Sequence, residues 1–372
     1  MTLFIGVLAC GCGGGGSTTT TPPPTPTVAA PQISTAVAQN GAQVVSLSDT
    51  TSGAVIYYSL DGSTPTSSSQ VYQAPMLVDS NLTVKAIAVS AGTLSAVTSQ
   101  SFSMNIPSGT LVWSDEFTST TGANAQPNPN VWTYDTGNNG FGNSELENYC
   151  AWGSTTAPCS TASPNAYVGT DGLLHIVAEE PSTGVYTSAR MRSQGLFSFQ
   201  YGRLEARIKL PEEQGMWPAF WLLGNNIATI NWPACGELDV MEHIDGSNPP
   251  PYVGGTPPGF DWIAGSIHGG TAAAEANGSM QYHPTGFSAA DWHTYGMIWS
   301  HGEIQFYVDD PANVYATYTP TNGTYSGTWP FDDGPEFIIL NLAVGGSWPG
   351  APDSTTTFPA EMQVDYVRLY TN

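Results

Sequence analysis

The stretch Gly236-Glu237-Leu238-Asp239-Val240-Met241-Glu242-His243 decides how the chain folds, because it places three acids inside an apolar run. Side chains alternate between the two faces of a regular strand, so Glu237 and Asp239 share one face while Glu242 points to the other. A carboxylate on the apolar face costs roughly several kcal/mol. A β-bulge near Val240 and Met241 adds one residue, brings Met241 into the core and returns Glu242 to the face of the other acids. We therefore predict a bulged strand that carries a row of three carboxylates.

Three carboxylates on one face have a specific chemical use. Hydrolysis of a glycosidic bond with retention needs two carboxyl groups about 5 to 5.5 Å apart, one as nucleophile and one as acid and then base. Glu237 and Glu242 are the candidates for these roles, and Asp239 lies between them to orient the nucleophile. An acidic edge strand or a calcium-binding surface explains the three acids alone equally well. The apolar, Trp-flanked context favours catalysis, and the Asp-rich loop with a central glycine that holds calcium is missing from this run.

Composition limits the class of partner. The chain of 372 residues has 7 Lys plus Arg against 30 Asp plus Glu, a formal net charge of -23. Nucleic-acid binding relies on cationic contacts to phosphate, so we expect no nucleic-acid partner and favour a neutral polymer. The 41 Gly, 29 Pro and 11 Trp residues favour a turn-rich, all-β protein with aromatic surfaces.

Seven motifs follow one another in order between residues 108 and 372. They are residues 111–117 (LVWSDEF), 142–146 (GNSEL), 199–207 (FQYGRLEAR), 215–221 (GMWPAFW), 232–242 (WPACGELDVME), 340–346 (LNLAVGG) and 364–368 (VDYVR). Together they resemble the motifs of glycoside hydrolase family 16, in the form typical of its laminarinases, which are endo-β-1,3-glucanases. The resemblance implies a catalytic domain at 108–372, folded as a bent, concanavalin-like jelly-roll β-sandwich with a concave substrate cleft.

The same resemblance implies an activity and a set of site residues. The activity is endo-hydrolysis of β-1,3-glucan with retention, with Glu237 as nucleophile, Glu242 as acid and base, Asp239 in support and no cofactor for the chemistry. Phe141 stands where many relatives carry Trp, which leaves the strength of one stacking subsite in doubt. The implied substrate-binding residues are Asn143, Glu145, Arg190, Arg192, Trp217, Trp232, His268, Asn341 and Trp348.

Many members of the family hold a structural calcium ion away from the cleft. The matching positions are Glu116, the carbonyl of Gly172 and Asp365. Two carboxylates and a carbonyl suit a hard cation. Two ordinary surface acids are the alternative, and it stays open.

Residues 29–106 read as a separate, small β-sandwich, because short β-prone runs alternate with turn clusters. Residues 58–66 (YSLDGSTPT) and 84–88 (VKAIA) resemble the immunoglobulin-like module at the C-terminal end of chitobiases. Such a module is a spacer or accessory unit in polysaccharide-degrading enzymes. We assign it no chemistry.

The remaining features concern the compartment. Residues 1–12 resemble a bacterial lipoprotein signal, which predicts a secreted or cell-surface protein whose Cys10 or Cys12 is lipidated and anchors it to a membrane. Residues 13–28 form a Gly/Thr/Pro linker. Cys150 and Cys159 close a short loop and predict a disulfide, which requires an oxidising compartment. We expect a monomer.

Other functions fit the same residues. One alternative is that the same three acids act on mixed-linkage glucan or on a red-algal galactan. Another is that they transfer glycosyl groups to sugars instead of water. A non-catalytic glucan-binding protein is a rival of another class, although such relatives usually lack the three acids that this chain keeps. A structural adhesin is the most distant alternative.

Overall fold

The structure is a computed structural model that describes residues 27–118, 122–245, 259–271, 273–321 and 325–372. The predicted signal at 1–12 and nearly all of the linker at 13–28 lie outside these residues. Within them the chain is almost entirely β, with short 3-10 helices at Gln39–Gly41, Gly140–Gly142 and Asn225–Ala228. None of the described helices has the length and apolar character needed to cross a membrane.

The N-terminal module contains two small antiparallel sheets. Its strands are β1 (Gln32–Val37), β2 (Gln43–Ser48), β3 (Val55–Ser59), β4 (Gln70–Val71), β5 (Met76–Val78), β6 (Leu82–Ser90), β7 (Thr93–Leu94) and β8 (Thr98–Phe102). One sheet has the order β1-β2-β5, and the other has the order β4-β3-β6-β7 with β8 also paired to β6. Val45, Tyr58, Val84 and Phe102 are among the buried residues between them, which fits a small sandwich.

The rest of the chain forms two larger sheets. Its strands are β9 (Leu111–Asp115), β10 (Thr133–Asp135), β11 (Glu147–Tyr149), β12 (Ala166–Val168), β13 (Leu174–Ser182), β14 (Val185–Ser188), β15 (Arg190–Arg192), β16 (Gly202–Lys209), β17 (Met216–Gly224), β18 (Glu237–Glu242), β19 (Ile263–Thr271), β20 (Ala274–Tyr282), β21 (His293–Ser300), β22 (Glu303–Val308), β23 (Val314–Tyr318), β24 (Glu336–Val344) and β25 (Ala360–Tyr370).

The first large sheet has seven strands in the order β10-β15-β24-β17-β18-β19-β20. The second has ten, in the order β11-β14-β13-β25-β16-β21-β22-β23, with β12 paired to β13 and β9 paired to β25. Apolar residues of both sheets, such as Leu238 and Val240 of β18 and Leu204 and Ala206 of β16, belong to one buried core. The two sheets therefore stack as a sandwich, and the other face of the seven-stranded sheet is left for a site.

The predicted bulge lies in β18. Met241 pairs with Phe220 of β17 and Asp239 pairs with Trp221, so Val240 has no opposite residue on that strand. The pairing with β19 shifts between Asp239 and Glu242 as well. Leu238, Val240 and Met241 are all buried in the core, because the extra residue lets Met241 join the apolar side. The bulge prediction is confirmed.

The N-terminal module packs directly on the larger sandwich. Leu77 of β5 donates its backbone N–H to the carbonyl of Ser198, whose hydroxyl donates to the carbonyl of Pro75. The buried side chains of Ala42 and Leu77 belong to the core of the larger sandwich rather than to that of the module. The module is thus docked on the larger sandwich through buried apolar surface, a contact that the sequence did not reveal.

Cys150 and Cys159 form the predicted disulfide. Cys235 is a buried free thiol. Arg203 and Arg207 lie on the ten-stranded sheet and away from the groove described below. The Arg203 guanidinium covers the ring of Tyr370, and that of Arg207 lies over Trp292.

Candidate active site

A groove with a volume of about 670 Å³ crosses the outer face of the seven-stranded sheet. Its floor is built by alternate residues of β15, β24, β17, β18, β19 and β20, and loops around Phe141 and Trp348 complete its walls. Adjacent strands lie about 4.8 Å apart, so six neighbouring strands span about 24 Å. The groove therefore has the length of an extended polymer segment.

The three acids of β18 all line this groove. The bulge at Val240 turns Glu242 to the side of Glu237 and Asp239, as the sequence predicted. Gly236 precedes the row with a φ of +87°, and a Cβ there would lie 3.2 Å from Glu336 Oε1 and 3.3 Å from the ring of Phe331. Glycine is therefore required at the position where the chain enters the catalytic strand.

Each glutamate of the row accepts a hydrogen bond from a tryptophan indole. Trp217 Nε1 donates to Glu242 Oε1 at 2.9 Å, and Trp232 Nε1 donates to Glu237 Oε2 at 3.0 Å. Trp232 is 44% exposed, whereas Trp217 packs edge-on against Trp348 with a centroid distance of 5.3 Å. The two indoles orient the carboxyl groups and also offer apolar surface to a ligand in the groove.

Two cationic side chains balance the acids. His268 of β19 places Nε2 3.2 Å from Asp239 Oδ2. Arg190 of β15 lies 4.6 Å from the centre of the Trp221 ring and forms an ion pair with Asp135 at 3.0 Å. Both side chains line the groove, so the acids face fixed positive charge there.

The environment raises the pKa of both glutamates. Burial raises the pKa of Glu242 to about 8, and the charge of Asp239 acts in the same direction. Burial, followed by the charge of Asp239, raises the pKa of Glu237 well above its usual range, while His268 acts to lower it. Burial alone would lower the pKa of His268, but Asp239, Glu237 and Glu275 raise it to about 11. At neutral pH these shifts favour an imidazolium at His268 and a proton held by the pair of glutamates, which gives the site an acid.

A chain of hydrogen bonds supports the groove next to the acids. Trp221 Nε1 donates to Asn341 Oδ1 at 2.7 Å, and Asn341 Nδ2 donates to the Tyr149 hydroxyl at 3.3 Å. The Tyr149 hydroxyl donates to Glu145 Oε2 at 2.8 Å, and Asn143 donates to Glu145 Oε1 at 3.2 Å. The polar residues predicted from the sequence are thus held in one network, whose outer members are able to bind hydroxyl groups.

The groove contains all but one of the predicted catalytic and substrate-binding residues. Arg192 is the exception, because it does not line the groove. Its Nη1 contacts Asp135 Oδ1 at 2.9 Å and Gln194 Oε1 at 2.5 Å. Of the predicted pair, only Arg190 lines the groove, and its contact with substrate stays a prediction. The residues in the groove are Glu237, Asp239, Glu242, Asn143, Glu145, Arg190, Trp217, Trp232, His268, Asn341 and Trp348.

The predicted calcium positions carry other partners. Both oxygens of Glu116 accept hydrogen bonds from Arg368, at 2.9 and 2.7 Å. Asp365 Oδ2 accepts one from Arg207 Nη1 at 2.7 Å. A cation at these carboxylates would have to displace two guanidinium groups, so the donor set as arranged does not fit it. Calcium binding at Glu116, Gly172 and Asp365 stays a prediction, and no role in the site is derived from it.

The acids of β18 and a neighbouring histidine form a second group of side chains of the metal-ligand type. Glu237, Asp239 and His268 each offer one donor atom, and these atoms lie within 4.8 Å of one another. Both nitrogens of His268 already face carboxylates, Asp239 and Glu275, so a metal ion would have to displace a proton from the imidazole. We derive no metal site from this trio.

Sequence reasoning missed the polar residues of the edge strand β20. Glu275, Asn277 and Ser279 lie on one face of that strand and line the groove, as does Ser266 of β19. Their alternation along residues 275–279 is the signal that would have identified a strand with one polar face. The local sequence does not indicate that this polar face lines the groove.

Glu147 and Glu336 are two further buried acids that the sequence did not reveal. Burial, followed by the charge of Glu145, raises the pKa of Glu147 to about 8. Burial also raises the pKa of Glu336 well above its usual range, and the charge of Glu237 adds to this. Several buried carboxyl groups therefore lie around the groove, and burial makes their ionisation unfavourable.

Comparison with known proteins divides the chain into the same two parts, the N-terminal module and the larger sandwich. Residues 154–368 match the Glycosyl hydrolases family 16, and residues 35–99 match the Chitobiase/beta-hexosaminidase C-terminal domain. The chain is 37% identical over 276 residues to a beta-glucanase of Rhodothermus marinus, which covers 71% of this chain and 86% of that relative.

Two further proteins extend the comparison. Glucan endo-1,3-beta-glucosidase A1 of Niallia circulans is 34% identical over 70% of this chain, which spans only 37% of that larger protein. The laminarinase catalytic domain of Thermotoga maritima MSB8 aligns with a TM-score of 0.57 and 36% identity, covering 72% of this chain and 99% of that domain. The predicted jelly-roll sandwich, preceded by a small β module, is confirmed.

Proposed function

The chain belongs to family 16 of the glycosyl hydrolases, and from this premise we propose that it hydrolyses internal β-1,3 linkages of a neutral glucan with retention. The observation that carries the proposal is the bulged row of Glu237, Asp239 and Glu242 on the floor of a long groove. Retaining hydrolysis requires two carboxyl groups that converge on one anomeric carbon. The bulge supports this convergence, because it returns the third acid to the groove face of the first two.

We assign the roles by the order of the acids in the family 16 motif, because burial raises the pKa of both glutamates and does not distinguish them. Glu237 attacks the anomeric carbon while Glu242 gives its proton to the leaving oxygen, which forms a glycosyl-enzyme ester and releases the first product. Glu242 then takes a proton from water, whose oxygen attacks the same carbon and frees Glu237. The raised pKa of Glu242, about 8, favours its protonated form for the first step at neutral pH.

Asp239 and the tryptophans assist without reacting. Asp239 holds the imidazolium of His268, whose charge acts to lower the pKa values of both glutamates. The Trp217 and Trp232 N–H groups fix the carboxyl groups, and their ring surfaces suit the apolar C–H faces of sugar rings.

The position of β18 in the sheet supports an internal cut. Groove-lining strands flank β18 on both sides, with β17, β24 and β15 on one side and β19 and β20 on the other. A polymer that lies across these strands has sugar units on both sides of the acids. Cleavage inside the chain follows from that arrangement.

We further propose that the enzyme acts outside the cytoplasm, as a monomer, on a substrate too large to be taken up intact. The disulfide between Cys150 and Cys159 supports this location, because such bonds persist in oxidising compartments. Anchoring through Cys10 or Cys12 belongs to the same proposal.

Mixed-linkage β-glucan is the second candidate substrate, since endo-1,3-1,4-beta-glycanases are also among the proteins similar to this chain. Incubation of the protein with laminarin, lichenan, agarose and carrageenan, followed by chromatography of the products, tests both candidates. We expect oligosaccharides of mixed length from laminarin early in the reaction. Early release of glucose alone, or digestion confined to agarose or carrageenan, would overturn the proposal.

A further inference from the structure

We propose that Glu275 is a positioning residue for this reaction, which fixes the imidazolium of His268 against Asp239 beside the reacting glutamates. The inference rests on the hydrolase function proposed above and adds a residue to its machinery. Glu275 lies on the edge strand β20, outside the motif around the acids, and its carboxylate is directed to the side of His268 that faces away from Asp239.

The first step of the argument is geometric. His268 of β19 pairs with Glu237 of β18 on one side and with Asn277 of β20 on the other. Its Nε2 lies 3.2 Å from Asp239 Oδ2, and its Nδ1 lies 2.7 Å from Glu275 Oε1. Each ring nitrogen thus faces a carboxylate. The Glu275 contact has hydrogen-bond geometry, whereas the Asp239 contact is an ion pair by distance. An imidazole between two carboxylates is stabilised when both nitrogens carry a proton, which makes it a cation.

The second step concerns the charges that face His268. Asp239 and Glu237 of β18 and Glu275 of β20 all act to raise its pKa, and Glu242 is coupled to its charge as well. The neighbouring ring of Trp232, whose centroid lies 6.1 Å from that of the imidazole, is uncharged. His268 is therefore the positive charge among four carboxyl groups. That charge acts to lower the pKa of Glu237, which favours the ionised nucleophile.

The third step explains why Asp239 alone is insufficient. A histidine held at one nitrogen keeps the freedom to rotate about its side-chain bonds or to turn the second N–H toward water. Glu275 removes this freedom, and its own carboxylate is held by Asn277, whose Nδ2 donates to the same Oε1 at 3.0 Å. The sequence Asn277, Glu275, His268, Asp239 is thus a chain of contacts that ends beside the nucleophile.

Glu275→Gln tests the proposal, because it keeps the size of the side chain and removes its charge. Protein labelled with ¹⁵N-histidine gives the protonation state of His268 by NMR, and loss of one signal in His268→Gln assigns it. In the unchanged protein we expect an imidazolium through pH 9. In Glu275→Gln the titration midpoint falls by about 1 to 3 pH units, the usual effect of losing one close opposite charge.

Activity on laminarin supplies the second measurement. A displaced imidazolium disturbs the reacting groups rather than substrate binding, so we expect kcat to fall about tenfold while KM stays within twofold. Glu275→Asp restores part of kcat. Glu212→Gln, which removes one carboxylate at an exposed position outside the groove, is the control for the change in net charge.

Two results would overturn the proposal. A rise in KM with unchanged kcat would make Glu275 a substrate contact instead. An unchanged His268 titration in Glu275→Gln would show that Asp239 holds the imidazolium without help. The NMR measurement needs no turnover, so it remains decisive even if the unchanged protein hydrolyses none of the glucans and the proposed function itself fails.

Discussion

The indole hydrogen bonds to the two glutamates set the pH range of activity, and Trp217→Phe tests this dependence. The substitution keeps an aromatic ring beside Glu242 and removes the N–H that lies 2.9 Å from its Oε1. That N–H stabilises the ionised form of Glu242 and lowers its pKa. Without it the pKa of Glu242 rises above about 8.

The size of the shift follows from the strength of the bond. A hydrogen bond to a charged group contributes about 1.5 to 3 kcal/mol, and 1.36 kcal/mol corresponds to one pKa unit. We therefore expect the pKa of Glu242 to rise by about 1 to 2 units. Since Glu242 must be protonated in the first step, activity is lost as pH rises through its pKa, and the alkaline limb of the pH profile moves to higher pH.

Trp232→Phe is the matched control variant. Its indole donates to Glu237 at 3.0 Å, but the side chain is 44% exposed and water replaces the N–H more readily. The two glutamates titrate as a coupled pair, and the first proton lost must leave the nucleophile ionised, so activity is lost as pH falls through the lower pKa of the pair. Loss of the indole N–H raises that pKa, and the acidic limb moves to higher pH by about 0.5 to 1 unit.

Initial rates of laminarin hydrolysis between pH 4 and pH 10, fitted for kcat/KM, measure both limbs. The account predicts that Trp217→Phe moves the alkaline limb and Trp232→Phe moves the acidic limb. If both variants move the same limb, or if Trp217→Phe moves the alkaline limb to lower pH, the assignment of acid and nucleophile is refuted.

Three further predictions concern turnover and stability. Glu237→Gln and Glu242→Gln should each lower kcat on laminarin by at least about a thousandfold with an unchanged far-UV circular dichroism spectrum, and near-full activity would remove that residue from its role. Burial raises the pKa of Glu147 to about 8, so the folded state holds this proton more tightly and stability falls as pH rises from about 4.5 to 8. Glu147→Gln should therefore raise the free energy of unfolding at pH 8 by about 1 to 3 kcal/mol, measured by urea titration; equal gains at pH 5 and pH 8 would contradict this. All 11 tryptophans lie between residues 113 and 348, so Val84→Asp in the core of the N-terminal module should lower the tryptophan-detected melting temperature, and an unchanged value would mean that the module is an independent spacer.

The bulge was predictable from the sequence because a regular strand would bury the Glu242 carboxylate, which costs much free energy. Glu242 five residues after Glu237 falls on the apolar face of a regular strand, and no local partner would compensate the charge there. The row of three acids followed from that argument. The family resemblance then placed most of the groove residues correctly, since their motifs are short and lie in order along the chain.

The features of the site that the sequence did not reveal depend on the pairing of strands that are distant in sequence. Arg192 is drawn to Asp135 because β10 pairs with β15, and the local sequence does not show that pairing. The ion pairs of Glu116 with Arg368 and of Asp365 with Arg207 likewise join distant segments, and calcium binding there stays a prediction. Glu275 went unnoticed because only the pairing of β19 with β20 brings it beside His268.

The docking of the N-terminal module was missed for a related reason. Met76, Leu77 and Val78 of β5 are all buried, although alternate residues of an edge strand usually face solvent on one side. The continuous apolar run was present in the sequence. What it packs against depends on Ser198 and its neighbours, more than 100 residues later.

The most direct measurement is to trap the glycosyl-enzyme intermediate. A 2-deoxy-2-fluoro-β-laminaribiosyl fluoride slows both steps, and its good leaving group lets the ester accumulate. After proteolysis, mass spectrometry should locate the sugar on the carboxylate of Glu237. A label on Glu242 or Asp239, or the absence of any adduct together with an inverted first product, would contradict the account.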